Sequence, residues 1–174
     1  MGRKIILSLA MSLDGYIADP DGNYAWIKGD GHSNLNTHDK WDYEKFLENI
    51  DVVVMGRNCF DQKMHEDFRK KTVYVATSKD MTDFDNIHFV KEPVHRILTE
   101  ERQKDGKDIF LFGGGLLVDG FLQSDLIDEY IIGIIPTILG KGRPLFLGNN
   151  PPIQLKLDTY TIEEGIAILH YSRR

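Results

Sequence analysis

Three consecutive glycines, Gly113-Gly114-Gly115, follow the apolar run Ile109–Phe112 and precede an amphipathic stretch from Leu116 to about Gln123. Glycine lets a ligand come close to the backbone and permits positive φ. A helix that begins there offers free N–H groups and a partial positive charge to a phosphate. The same spacing also serves as a tight strand-to-helix turn with no ligand. Val118 stands where a G-x-G-x-x-G fingerprint needs its last glycine, so this is not that motif. No Gly-Lys-Ser/Thr occurs, so it is not a Walker loop either. Two further stretches suit a phosphate. Gly56-Arg57 places a guanidinium at a helix start, and Thr77-Ser78-Lys79 combines two hydroxyls with an ammonium. Each alone also reads blandly, as a solvated arginine and as a turn. Together they suit one ligand that carries several phosphates.

Other chemistry has less support. The histidines at 32, 38, 65, 88, 95 and 170 show no paired ligand spacing, and no metal site is expected. Cys59 has no relay partner and reads as a small buried side chain. Ser8, Ser12 and Ser78 lack a GxSxG context. Asp14, in Ser12-Leu13-Asp14-Gly15, holds its turn. Asp42 has two readings. It could hydrogen-bond a nitrogen heterocycle, or it could be a solvent-facing acid that favours the helix dipole, and the residues alone favour the second.

Composition narrows the class. The chain has 174 residues, one domain's worth, with 41% hydrophobic and 28% charged residues. Its net charge of -6 argues against general binding to nucleic acid. A single cysteine excludes an internal disulfide and any multi-cysteine cluster. The start, MGRKIILSLA, lacks a cleavage pattern, and no run reaches the roughly 20 apolar residues of a membrane helix. A soluble, cytoplasmic protein is expected.

These residues need strand ends to hold them. Lys4–Ala10 reads as a buried first strand and residues 11–36 as a long loop. Tyr43, Phe46, Leu47 and Ile50 predict a helix over 39–50, capped by Asn36 or Thr37. Strands are expected at 51–55, 72–77, 87–90 and 109–112. A helix runs from Pro93 to about Lys104. Asp128–Ile138 reads as a strand whose Pro136 favours an edge or a bulge. Residues 153–160 and 166–171 predict a terminal hairpin turning near Glu164-Gly165. The alternation implies an α/β protein with a mostly parallel central sheet, flanking helices and a C-terminal antiparallel hairpin. The loops after Ala10, Met55, Thr77 and Phe112 then share one rim, where such sheets bind ligands.

In this order the motifs resemble the dihydrofolate reductase-like superfamily. They are most similar to the reductase domain of bifunctional riboflavin-biosynthesis deaminase/reductases. The residues that carry the likeness are Ser12 to Ala18, Trp26-Ile27, Val54-Met55-Gly56-Arg57, Leu111 to Gly115, Asp125 to Glu129, Pro136 to Gly140, and Gly140-Lys141-Gly142-Arg143-Pro144-Leu145-Phe146. They span essentially the whole chain, and without a deaminase domain it resembles a stand-alone paralogue.

The resemblance implies NADPH and hydride transfer to a pterin- or (ribosylamino)pyrimidine-type substrate. By position, Ala10 and Ile17 would flank the nicotinamide. Gly113, Gly114 and Gly115, after Phe112 and with Leu116 and Leu117, would hold the pyrophosphate. Arg57, following Gly56, would cradle the adenosine phosphate with Thr77, Ser78 and Lys79. Asp42 would orient the heterocycle, Phe46 would pack on it, and Trp26 would face it. A homodimer is implied. The alternatives are a nucleotide- or pterin-binding protein of the same fold without turnover, and a structural module with no NADPH affinity.

Overall fold

The computed structural model describes residues 2–91 and 93–174. Its frame is set by strands that bury both faces. In β1 (Ile5–Ser12), β3 (Ile50–Gly56) and β6 (Asp108–Gly113), neighbouring residues enter opposite cores. Ile5, Leu7, Val52, Val54, Ile109 and Leu111 enter one, while Ile6, Val53, Met55 and Phe110 enter the other. Strand side chains alternate faces, so two buried faces produce the continuous apolar runs seen in the sequence.

The remaining elements are β2 (Tyr16–Ala18), α1 (Tyr43–Glu48), α2 (Arg57–Asp61), a 3-10 turn at Met64–Phe68, β4 (Thr72–Ala76), β5 (Ile87–Val90), α3 (Val94–Glu101), α4 (Gly115–Gln123), β7 (Glu129–Ile135), β8 (Arg143–Pro144), β9 (Leu155–Glu163) and β10 (Ile166–Arg173). The main sheet has the order β5-β4-β3-β6-β1-β7-β10-β9. It is parallel from β5 to β7, and β10 runs antiparallel to both neighbours. Leu98 of α3 and Val118, Phe121 and Leu122 of α4 fill one core. Phe68 fills the other, with Phe46, Leu47 and Phe60 packed against it. This is the dihydrofolate reductase-like architecture expected above.

Four boundaries depart from expectation, each for a local reason. The helix expected over 39–50 shrinks to α1. Thr37 donates its hydroxyl to the Asp39 carbonyl at 2.6 Å and its amide to Ile162 at 2.9 Å, so the chain before Asp42 belongs to a loop. Ile50 joins β3. Residues 11–36 are not all loop, because β2 pairs with β8 in a small second sheet. Finally, β7 stops at Ile135, so Pro136 lies outside it, and β7 is an interior strand between β1 and β10.

The hairpin turns at Glu164 and Gly165, both at positive φ (48° and 79°), as a two-residue turn between twisted strands requires. The segment before α1 is fastened to this turn. The Asp30 amide donates to the Glu164 carbonyl at 2.7 Å, and the Glu164 amide to Asn36 Oδ1 at 2.7 Å.

Candidate active site

The carboxyl ends of β3, β4, β5 and β6 open onto one cleft of about 950 Å³, within the range of cofactor and ligand sites. One wall is the glycine turn. The Gly113–Gly114 peptide is cis, Gly114 is the N-cap of α4, and no side chain caps that helix. The first intrahelical bond runs from the Val118 amide to the Gly114 carbonyl at 3.0 Å. The amides of Gly115, Leu116 and Leu117 therefore have no partner within the helix. Glycine is required at 115 because a Cβ there would be driven into the Pro144 carbonyl oxygen. Leu116 is 85% exposed at the mouth of the cleft.

The opposite corner holds Arg57, Thr77 and Ser78. Arg57 Nε donates to Asp61 Oδ1 at 2.7 Å and Nη1 to Thr77 Oγ1 at 3.5 Å, which fixes the guanidinium in place. Arg57, Lys91 and Arg143 line the cleft, and among the described residues no Asp or Glu does. Asp61 and Asp80 pair with Arg57 and Lys91 at 2.7 Å each from outside that lining, so Arg143 is the cation most open to an anion.

The cleft gathers Ile17, Gly56, Arg57, Thr77, Ser78, Gly114, Gly115, Leu116 and Leu117 of the expected cofactor residues. Four others stand outside its lining. Ala10 pairs with Gly133 inside the sheet. The Lys79 amide donates to Thr77 Oγ1 at 3.1 Å. Phe112 turns its ring into the opposite core, with centroids 5.5 Å from both Phe68 and Phe110. Gly113 accepts the Cys59 thiol on its carbonyl at 3.7 Å. Burial raises the pKa of that thiol, consistent with an inert cysteine.

The expected substrate residues are dispersed. Asp42 is the N-cap of α1, and its Oδ1 accepts the Lys45 amide at 2.9 Å. It does not line the cleft, because the shorter helix puts it at the cap rather than on an inner turn. Phe46 packs edge-on against Phe110 at 5.0 Å. Trp26 donates its indole N–H to the Asn23 carbonyl at 3.2 Å, and Tyr24 reaches the cleft instead.

Sequence reasoning missed Tyr24, Gln62, Met64, Lys91, His95 and Arg143 on the cleft wall. Arg143 alone had a visible signal, since it sits in the glycine-rich stretch at 140–146. Asp14 does more than hold its own turn. Its carboxylate accepts Ser12 Oγ at 2.6 Å and the amides of Leu139 at 3.1 Å and Gly140 at 2.8 Å. The Ser12 hydroxyl and then those amides hold its carboxyl below the usual range. This contact ties the 139–140 segment to the end of β1, next to β8.

Residues 3–168 match the family model described as the RibD C-terminal domain. The chain belongs to this family. It is 35% identical to the uncharacterized protein YwjB of Bacillus subtilis (strain 168), over 99% of each chain. Among solved structures it is similar to a protein from Shewanella sp. PV-4 that is named for riboflavin biosynthesis, with 28% identity, a TM-score of 0.81, and coverage of 100% of this chain and 99% of that one. The fold also matches dihydrofolate reductase from Enterococcus faecalis, complexed with NADP(H) and RAB-propyl, at a TM-score of 0.63 and 16% identity, covering 98% and 96% of the two chains.

Proposed function

We propose that the protein is an NADPH-dependent reductase that passes a hydride to a pterin- or (ribosylamino)pyrimidine-type substrate. The observation that carries this reading is the cleft itself, lined by three cations and, among the described residues, by no carboxylate, and closed on one side by an uncapped helix. Membership in the RibD C-terminal domain family and the NADP(H)-bound fold neighbour support it.

The residues present fit a pyridine dinucleotide. The unpartnered amides at the start of α4 would hold its pyrophosphate. Arg57, steadied by Asp61, would hold the ribose phosphate with Thr77 and Ser78. Ile17 and Leu116 would give apolar contact to its rings. When bound, NADPH supplies the hydride, and the chain supplies position and electrostatics. Asp14 keeps β8 and the 139–140 segment in place beside the cleft and so orients that wall. In this reading the protein is a cytoplasmic homodimer, and its mass in sedimentation equilibrium tests the dimer.

Calorimetry with NADPH and NADH, followed by cofactor oxidation with a panel of pterins and ribosylaminopyrimidines, tests the proposal. Binding of NADPH and substrate-dependent loss of its absorbance are expected. A protein that ignores both nucleotides ends the reading. The position of Asp42 away from the cleft favours a second reading, binding without turnover. It predicts affinity for NADPH and no oxidation with any substrate in the panel.

A further inference from the structure

Of the eight arginines in the chain, Arg3, Arg57, Arg102 and Arg173 each meet a carboxylate. Arg69, Arg96 and Arg174 are exposed to solvent. Arg143 fits neither group. It is half-buried and lines the cleft, and among the described residues its guanidinium has no carboxylate or hydrogen-bond partner. A cation withdrawn from water without a partner is costly, and an anion entering the cleft would offset that cost.

The seat of this guanidinium is built. Gly22 is buried, and a Cβ on it would lie 3.0 Å from Arg143 Cζ and Nη1 and 3.1 Å from Nη2. Three nearly equal distances mean that the planar group lies face-on over the glycine, in tight contact with it. Asp19, the acid of the turn that carries Gly22, is engaged by its own turn. It takes the amides of Asp21 and Asn23 at 2.9 Å each and the Asn23 side-chain amide at 3.2 Å. The residue after Arg143 is Pro144, whose carbonyl presses on Gly115 at the start of α4. The strand carrying the free guanidinium therefore abuts the helix whose first amides are free.

We infer that Arg143 is a phosphoryl-binding residue of the cleft, receiving a phosphate oxygen opposite the α4 amides. The oxygen comes from the pyrophosphate of the dinucleotide or from a phosphorylated substrate. The first source rests on the proposed function, while the second requires only that the cleft take an anion.

The test uses the full chain with Arg143→Gln and Arg143→Lys, whose folding is checked by circular dichroism melts. Calorimetry measures NADPH and adenosine 2′-monophosphate. Thermal shift measures inorganic pyrophosphate on the free protein and ribose 5-phosphate on NADPH-saturated protein. Arg143→Gln is expected to weaken at least one pyrophosphate or sugar-phosphate probe by roughly tenfold or more, with Arg143→Lys in between. Loss for NADPH and pyrophosphate with adenosine 2′-monophosphate unchanged assigns the residue to the dinucleotide. Loss confined to ribose 5-phosphate assigns it to the substrate. If wild type ignores NADPH yet shows an Arg143-dependent shift with pyrophosphate, the anion seat stands and the reductase reading falls. Equal behaviour of wild type and Arg143→Gln with all four probes overturns the inference. So does an equal loss with all four that Arg143→Lys fails to relieve.

Discussion

At the scale of single residues, Asp42 and Arg57 carry opposite expectations. Asp42 accepts the Lys45 amide, so Asp42→Ala is expected to lower stability by about 0.5–2 kcal/mol through loss of the cap. Asp42→Asn retains an acceptor and costs less, and NADPH affinity is expected to be unchanged in both. Urea denaturation and calorimetry on the two variants check this. A fall in turnover in Asp42→Asn at unchanged stability would return the residue to the substrate. Arg57 is the opposite case, since its guanidinium faces Thr77 in the cleft. Arg57→Ala is expected to weaken NADPH more than NADH by about 1–3 kcal/mol. Equal losses for the two nucleotides would remove the arginine from the phosphate.

Among elements, the junction of β1, β2 and β8 decides whether the wall of the cleft stays in place. Asp14 bridges it through Ser12, Leu139 and Gly140, and its carboxyl lies below the ordinary value of 3.8. A depressed folded-state value means that the ionised form favours folding. Its stabilisation is present above the unfolded value and is lost as pH falls through the folded one. Wild type is therefore expected to melt above Asp14→Asn near pH 6, with the gap closing as pH is lowered below about 4. Melting temperatures of the two proteins across that range are the measurement. A constant gap would mean that the carboxylate charge has no part in the junction.

Across the whole molecule, a buried cation joins distant parts of the chain. Arg3, whose side chain is 5% exposed, pairs with Asp51 of β3 and with Glu101 of α3 at 3.2 Å, and donates to the Lys107 carbonyl before β6. Glu101 also accepts Lys104 at 2.6 Å and the Tyr74 hydroxyl at 3.4 Å. Burial pushes the Glu101 carboxyl up, but the Lys104 hydrogen bond and the Lys104 and Arg3 charges outweigh it and hold it below its usual value. Without Arg3, Glu101 keeps Lys104 and Tyr74, and half-exposed Asp51 keeps the Lys107 amide at 3.0 Å. Arg3→Ala is expected to cost about 1.5–3 kcal/mol through its lost charged hydrogen bonds, read as a drop in the urea midpoint. A change within about 0.5 kcal/mol would show that water replaces the guanidinium freely.

The apolar runs at residues 5–7, 52–55 and 109–112 determined two-faced strands on their own, because burying both faces requires apolar residues in succession. That the glycine turn, Gly56-Arg57 and Thr77-Ser78 would meet at one rim was legible from their positions after strands, and the fold brings them to one cleft. Pairings between distant segments were not. Asp42 read as a solvent-facing acid within a helix over 39–50, with a heterocycle ligand as the other reading, but Thr37 bonds to Ile162, 125 residues away, and α1 starts only after Asp42. The short strands β2 and β8 had no signal, since three residues and two carry no periodicity and form only because each supplies the other's hydrogen bonds. Arg143 was visible as one residue of a glycine-rich stretch. Its place in the cleft was decided by the fold, because a guanidinium's partners depend on which backbone it meets, and the sequence holds Gly22 and Arg143 more than 100 residues apart.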